Sequence, residues 1–183
     1  RVLVVNGKVV ACAERVAAHV VGDGRSTVRQ LVERGNQDPR RGHGHTRILT
    51  KLPMDDLTVE FLAAGGRTLD TVPADGERVF LRGTANLSTG GTSIDCTEDM
   101  HPDNVTACEM AANAVGLDIA GIDVITPDIS VPFRENGAVI IEVNAAPGIR
   151  MHTHPTEGTP RNVGAPIIDM LYPPGTESTI PVV

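Results

Sequence analysis

Ala138-Val139-Ile140-Ile141-Glu142-Val143-Asn144-Ala145-Ala146-Pro147-Gly148-Ile149-Arg150 is the stretch on which the fold turns. Its β-branched run reads as a strand, and the run meets a carboxylate with an amide two positions later. Strand side chains alternate faces, so Glu142 and Asn144 share a side and set two oxygen ligands in one row. The Pro-Gly break ends the strand and presents Arg150. An acid at the end of an otherwise buried strand is costly unless something pairs with it. Mg2+ is a natural partner for carboxylate and amide oxygens. A solvated edge strand would account for the same residues.

The weight shifts upstream. Ala120-Gly121-Ile122-Asp123-Val124-Ile125 reads as a buried strand with one acid in its middle. A polar connection, Thr126 to Asn136, leads from it to the opening stretch. Two consecutive strands joined by a loop are most simply an antiparallel hairpin, which would bring Asp123 near Glu142 and Asn144. Three oxygen-bearing side chains on two neighbouring strands predict a cation site. Before them, Asp103-Asn104 open a helical pattern over Val105 to Leu117, with Val105, Cys108, Ala112 and Val115 on one face. After them come Met151-His152-Thr153-His154-Pro155, a helix from Val163 to Leu171, and a tail that reads as a linker over 173–183.

The first half is built from shorter pieces. Val2–Val5 and Val9–Ala13 flank Asn6-Gly7-Lys8, a strong hairpin signal. Val16 to Val21 predicts a third strand, and Ser26 and Thr27 can cap a helix through Gln30 to Val32. Gly35 to Thr50 reads as a polar loop, in which His43 and His45 make a poor metal pair without further ligands. Asp55-Asp56 open a short helix that ends at Gly65-Gly66. Arg67 to Val72 and Glu77 to Leu81 read as strands around Pro73-Ala74-Asp75-Gly76. Arg82-Gly83-Thr84-Ala85-Asn86-Leu87-Ser88-Thr89-Gly90-Gly91-Thr92 is a loop whose small residues would let backbone approach phosphates.

Composition narrows the classes. A formal net charge of −7 over 183 residues argues against a general nucleic-acid binder. No run approaches the ~20 apolar residues of a membrane helix, and no secretory signal is visible. Three Phe, one Tyr and no Trp leave the core to aliphatic residues. Cys12, Cys96 and Cys108 lie far apart in the chain without a CxxC pair, which reads as reduced thiols in a cytoplasmic protein. The first residue is Arg, and a strand-like run follows at once, so the chain is expected to be cut from a longer one.

These residues together resemble the ATP-grasp family. Gly121-Ile-Asp123 followed by Ile141-Glu142-Val-Asn144-Ala-Ala-Pro147-Gly148 is similar to its metal-holding strands, and Arg82-x-x-x-Asn86 with Gly90-Gly91 is similar to its loop beside the γ-phosphate. Arg1-Val-Leu-Val-Val-Asn-Gly-Lys-Val-Val-Ala resembles the hairpin that follows the adenine hinge. Glu14-Arg-Val-Ala-Ala-His19, Asn36-Gln-Asp-Pro-Arg40, Leu49-Thr-Lys51 and Pro160-Arg-Asn-Val163 resemble the branch of the family that makes cyanophycin, an aspartate backbone with arginine branches.

The resemblance implies an α+β fold: the C-terminal lobe of an ATP-grasp domain, a largely antiparallel sheet flanked by helices, over 1–172. The N-terminal portion of that domain would be missing, and 173–183 would lead toward a Mur-ligase-like domain. It implies an ATP-dependent carboxylate-amine ligase that adds aspartate to an aspartate-arginine polymer, with ATP and two Mg2+ ions as cofactors. The partners would be aspartate and that polymer, with no nucleic acid or membrane, and the full-length enzyme would be a homo-oligomer. The fragment alone is expected to be inactive.

The implied roles are Asp123, Glu142 and Asn144 for the metal; Arg1, Arg82, Ile141 and Glu142 for the nucleotide; Arg82, Asn86 and the Gly148 backbone for catalysis; and Arg150 and His152 for the substrate carboxylate. Some members carry an Arg two residues before the metal Asp. Gly121 stands there, so Arg82 or Arg150 would have to supply the charge. Another ATP-grasp ligase, adding glutamate or making glutathione, would share the metal residues. A catalytically silent polymer-binding module would have no reason to keep them.

Overall fold

The computed structural model describes residues 1–175 except His45 and Pro174. The linker reading of 173–183 thus lies almost wholly outside the described residues, as does the His43–His45 pair. The chain divides into two compact units: unit 1 is Arg1–Glu14 with Asp95–Val183, and unit 2 is Arg15–Ile94.

A five-stranded sheet is ordered β7-β2-β1-β8-β9. Its strands are β1 (Val2–Val5), β2 (Lys8–Val16), β7 (Thr92–Asp95), β8 (Ile119–Ile125) and β9 (Val139–Asn144). The Asn6-Gly7 hairpin forms as expected: Val5 pairs with Lys8, and Asn6 and Gly7 take φ of 49° and 70°. Both positive angles are what a two-residue turn between twisted strands requires. β1 is the middle strand, and all four of its residues are buried. Val2 and Val4 pack on one face with Cys108 and Ala112 of helix α3 (Pro102–Val115). Leu3 and Val5 pack on the other with Val163, just before helix α6 (Gly164–Leu171).

Helix α3 begins where Pro102 can sit at its first position, with the His101 ring accepting from the Asp103 amide. Asn104 is buried and fully used: its amide nitrogen donates to the Ile129 and Val131 carbonyls at 2.8 and 2.9 Å, and its oxygen accepts from Phe133 N at 2.8 Å. That bonding shapes the connection to β9, which also contains a short helix, α4 (Phe133–Asn136), not expected from the sequence. Val115 is 57% exposed and Leu117 packs on the core instead, because Gly116 ends the helix in the left-handed conformation. The three cysteines are free thiols, and two of them meet: the Cys12 and Cys96 sulfurs are 3.3 Å apart.

Unit 2 pairs β3 (His19–Val21) with β6 (Arg78–Phe80), and β4 (Arg41–Gly42) with β5 (Leu49–Thr50). Its core joins Val20, Val79 and Leu81 to Val28, Leu31 and Val32 of helix α1 (Val28–Gly35) and to Leu62 of helix α2 (Asp56–Ala64). Thr27 and Gln30 close a capping box at the start of α1, as the sequence leads one to expect. The strand expected over Arg67 to Val72 is absent. The carbonyls of Leu69 and Thr71 instead accept from Arg29 and Val28, first-turn amides of α1 that have no partner within the helix.

Candidate cation and phosphate site

β8 and β9 pair antiparallel, with Asp123 opposite Glu142 and Gly121 opposite Asn144. Opposed residues stand about 4.5–5.5 Å apart between Cα atoms and point to one face. The register then breaks: Val124 opposes Ile140, so Ile141 is the extra residue of a β-bulge. That bulge explains a spacing the sequence pattern does not. Ile140 and Val143 are three apart, yet both pack on the α3 side of the sheet. The added residue resets the alternation and sends Glu142 and Asn144 to the opposite face, beside Asp123. Ile141 itself is 55% exposed, and β9 is the last strand of the sheet rather than a buried one.

Asp123 is buried. Its carboxylate receives Nε and Nη2 of Arg1, the second at 3.1 Å. Asn144 donates its amide nitrogen to the Gly121 carbonyl at 3.2 Å. Among the described residues no cluster of three or more His, Cys, Asp and Glu side chains is set to hold a metal. The Asp123, Glu142 and Asn144 set differs in having an amide as its third member, which is oxygen chemistry suited to Mg2+ and not to zinc.

Beyond β9, Gly148 lies in an open loop where an added Cβ would meet nothing within 4 Å. Arg150 opens a single helical turn, α5 (Arg150–Thr153). His152 in that turn is buried, and neither ring nitrogen has a hydrogen-bond partner. Burial and the nearby Arg1 charge push its pKa down to about 4. The ring is therefore neutral at pH 7, with both nitrogens enclosed in the protein. His154 is exposed.

The sequence reading missed what holds this turn. Arg161 donates to Asp95 at 2.6 Å and to Glu98 at 2.7 Å, and its backbone N–H bonds the His152 carbonyl at 2.8 Å. Burial resists ionisation of Asp95, but Arg161 and the Thr97 hydroxyl outweigh it and leave the carboxyl below its usual 3.8. The stabilisation from this group is thus complete above that value and is lost as pH falls below it. Denaturant midpoints measured from pH 6 down to pH 2 should fall less steeply in Asp95→Asn than in the parent.

In unit 2, Arg82 is drawn back onto the start of α2. Its Nη2 lies 2.6 Å from both oxygens of Asp55, and its Nη1 donates to Thr58 Oγ1 and, at 3.0 Å, to the Leu81 carbonyl. Those bonds hold the Asp55 carboxyl below its usual range. Asn86 is exposed, and its carbonyl accepts from Thr89 and Gly91, folding the loop over a 3-10 turn at Leu87–Thr89. A Cβ on Gly91 would come within 2.7 Å of the Asn86 carbonyl oxygen, so this loop is compact because the residue is glycine.

No protein-family model matches the chain. It is 57% identical over its whole length to the cyanophycin synthetase of Synechocystis and 54% to that of Nostoc. It is 37% identical, over 94% of its length, to the glutathione biosynthesis bifunctional protein of Clostridium perfringens. Among solved structures, a bifunctional glutathione synthetase from Pasteurella multocida superposes with a TM-score of 0.79 at 35% identity, covering 94% of this chain and 23% of that one. The chain spans about a fifth of the length of the curated relatives it matches, 21% in the Synechocystis protein. No helix among the described residues is long and apolar enough to cross a membrane. In sequence the chain thus matches a part of the cyanophycin synthetases, and its α+β fold is that of the matching part of the glutathione synthetase, an ATP-grasp fold.

Proposed function

We propose that the chain supplies the metal-holding part of an ATP-dependent ligase that lengthens an aspartate-arginine polymer by one aspartate at a time. The observation that carries this reading is the register that opposes Asp123 to Glu142 with Asn144 on the same face. Two acids and an amide on one face fit Mg2+, and Asp123, Glu142 and Asn144 would hold it, in two ions by analogy with the family. Bound there, the metal would neutralise charge on the ATP phosphates during transfer.

The chain's own residues do the rest. Glu142, exposed beside the bulge, faces the nucleotide with Ile141, whose half-exposed side chain gives the base an apolar surface. Arg82 stabilises the moving phosphoryl group after exchanging Asp55 for it, and Asn86 sits with it on the compact loop. The polymer's C-terminal carboxylate is thereby activated as an acyl phosphate, which the amine of aspartate attacks. Backbone N–H groups at Gly148 serve the tetrahedral oxyanion, and Arg150 docks the substrate carboxylate. Residues 1–172 act as part of one ATP-grasp domain. The three free thiols fit the reducing conditions of a cytoplasmic setting.

The test is product analysis with the full-length protein, ATP, Mg2+, aspartate, arginine and a short polymer primer. One ADP released per aspartate added supports the proposal. Release that instead requires glycine and a γ-glutamyl dipeptide points to a glutathione-type ligase, and nucleotide-independent polymer binding points to a silent module.

A further inference from the structure

The positive charge beside the acid row comes from Arg1. Its guanidinium grips both oxygens of Asp123, and the two side chains are only 10% and 5% exposed. A carboxylate this far from water needs such a partner, and a two-point grip also fixes its orientation. The route of the guanidinium depends on an absent side chain. A Cβ on Gly121 would stand 3.0 Å from Arg1 Nη1, 3.3 Å from Arg1 Cδ and 2.6 Å from Pro147 Cβ. Gly121 does not have a left-handed backbone, so the glycine provides space here rather than a special conformation. The same gap seats Pro147, three residues past the strand carrying Glu142 and Asn144. One missing methyl group thus admits both the arginine that grips Asp123 and the proline that closes the row.

We propose that Arg1 is the positioning residue of the cation site: it holds the Asp123 carboxylate turned toward Glu142 and Asn144, and Gly121 is the opening through which it does so. The proposal rests on the cation reading above. It is chemically consistent, because an ionised carboxylate has about four lone-pair positions and a two-point arginine grip occupies only two of them. A residue that grips a metal-binding carboxylate from behind in this way governs metal affinity by about 10–100-fold.

The probe is Mn2+, titrated into the full-length protein and followed by the loss of the free-ion signal in electron paramagnetic resonance. Arg1→Gln and Gly121→Ala should each weaken binding by about tenfold or more. Arg1→Lys, which keeps the charge but not the fork, should recover much of the loss. That rescue would not occur if Arg1 only filled space. Circular dichroism identifies any variant that fails to fold, and Arg1→Lys against Arg1→Gln decides the matter if Gly121→Ala does. If Asp123→Asn abolishes Mn2+ binding while Arg1→Gln binds as the parent does or more tightly, the positioning role is wrong and the cation site stands. If Asp123→Asn binds Mn2+ normally, the cation site itself is wrong.

Discussion

Glu142→Gln in the full-length protein is expected to lose ATP-dependent aspartate addition, with kcat down by about a thousandfold or more, while folding is unchanged. The size follows from the charge. Removing one preorganised electrostatic contact at a transferring phosphoryl group costs about 3–4 kcal/mol, or 10²–10³ in rate, and a metal ligand does more than a single donor. Folding is spared because Glu142 is exposed, so an isosteric amide leaves no cavity and no unpaired buried charge. Circular dichroism of the same preparation serves as the control that the protein is intact. Aspartate addition that persists in this variant would remove Glu142 from the site.

Gly22→Ala is expected to destabilise unit 2 by about 3 kcal/mol, which for a chain of this size lowers the melting temperature by about 6–12 °C. An alanine Cβ there would lie 2.1 Å from the Ala74 carbonyl oxygen and 2.8 Å from Pro73 Cβ. The carbonyl cannot retreat cheaply. Gly76 N donates to the Gly22 carbonyl at 3.0 Å, Glu77 N to Ala74 O at 3.0 Å, and Gly22 N to Glu77 O at 2.8 Å, so the two segments hold each other at both ends. Gly164→Ala makes the matching control, since its Cβ would meet only Asn162 Oδ1 at 3.7 Å. Calorimetry on the pair checks the argument. Equal melting temperatures would mean that the Gly22–Ala74 approach is not as close as described.

The elements that the sequence reveals are those written by local chemistry. Asn6-Gly7 forces a hairpin through its own backbone angles, and Thr27 with Gln30 starts a helix through their own side chains. Asp123 and Glu142 stand opposite each other because two consecutive strands are most simply antiparallel neighbours. What escaped the reading depends on distant partners. Arg67 to Val72 has strand-like residues, but its carbonyls are claimed by α1. The bulge at Ile141 is invisible in a run of β-branched residues, because any of them can be the extra one. The grip of Arg1 on Asp123 needs β1 and β8 to be neighbours, which no local pattern states. Arg161 pairs with Asp95 and Glu98 across more than sixty residues, and nothing in the segment Pro160–Val163 names those partners.

The chain leaves unit 1 after Glu14 and returns at Asp95, and the two crossing points lie side by side: Cys96 N–H bonds the Cys12 carbonyl at 3.0 Å. Unit 2 is thus spliced into unit 1 as a cassette with its entry and exit adjacent. A change of length between 17 and 91 would remove no residue from the five strands of the unit 1 sheet, so the register of β1, β8 and β9 should survive it.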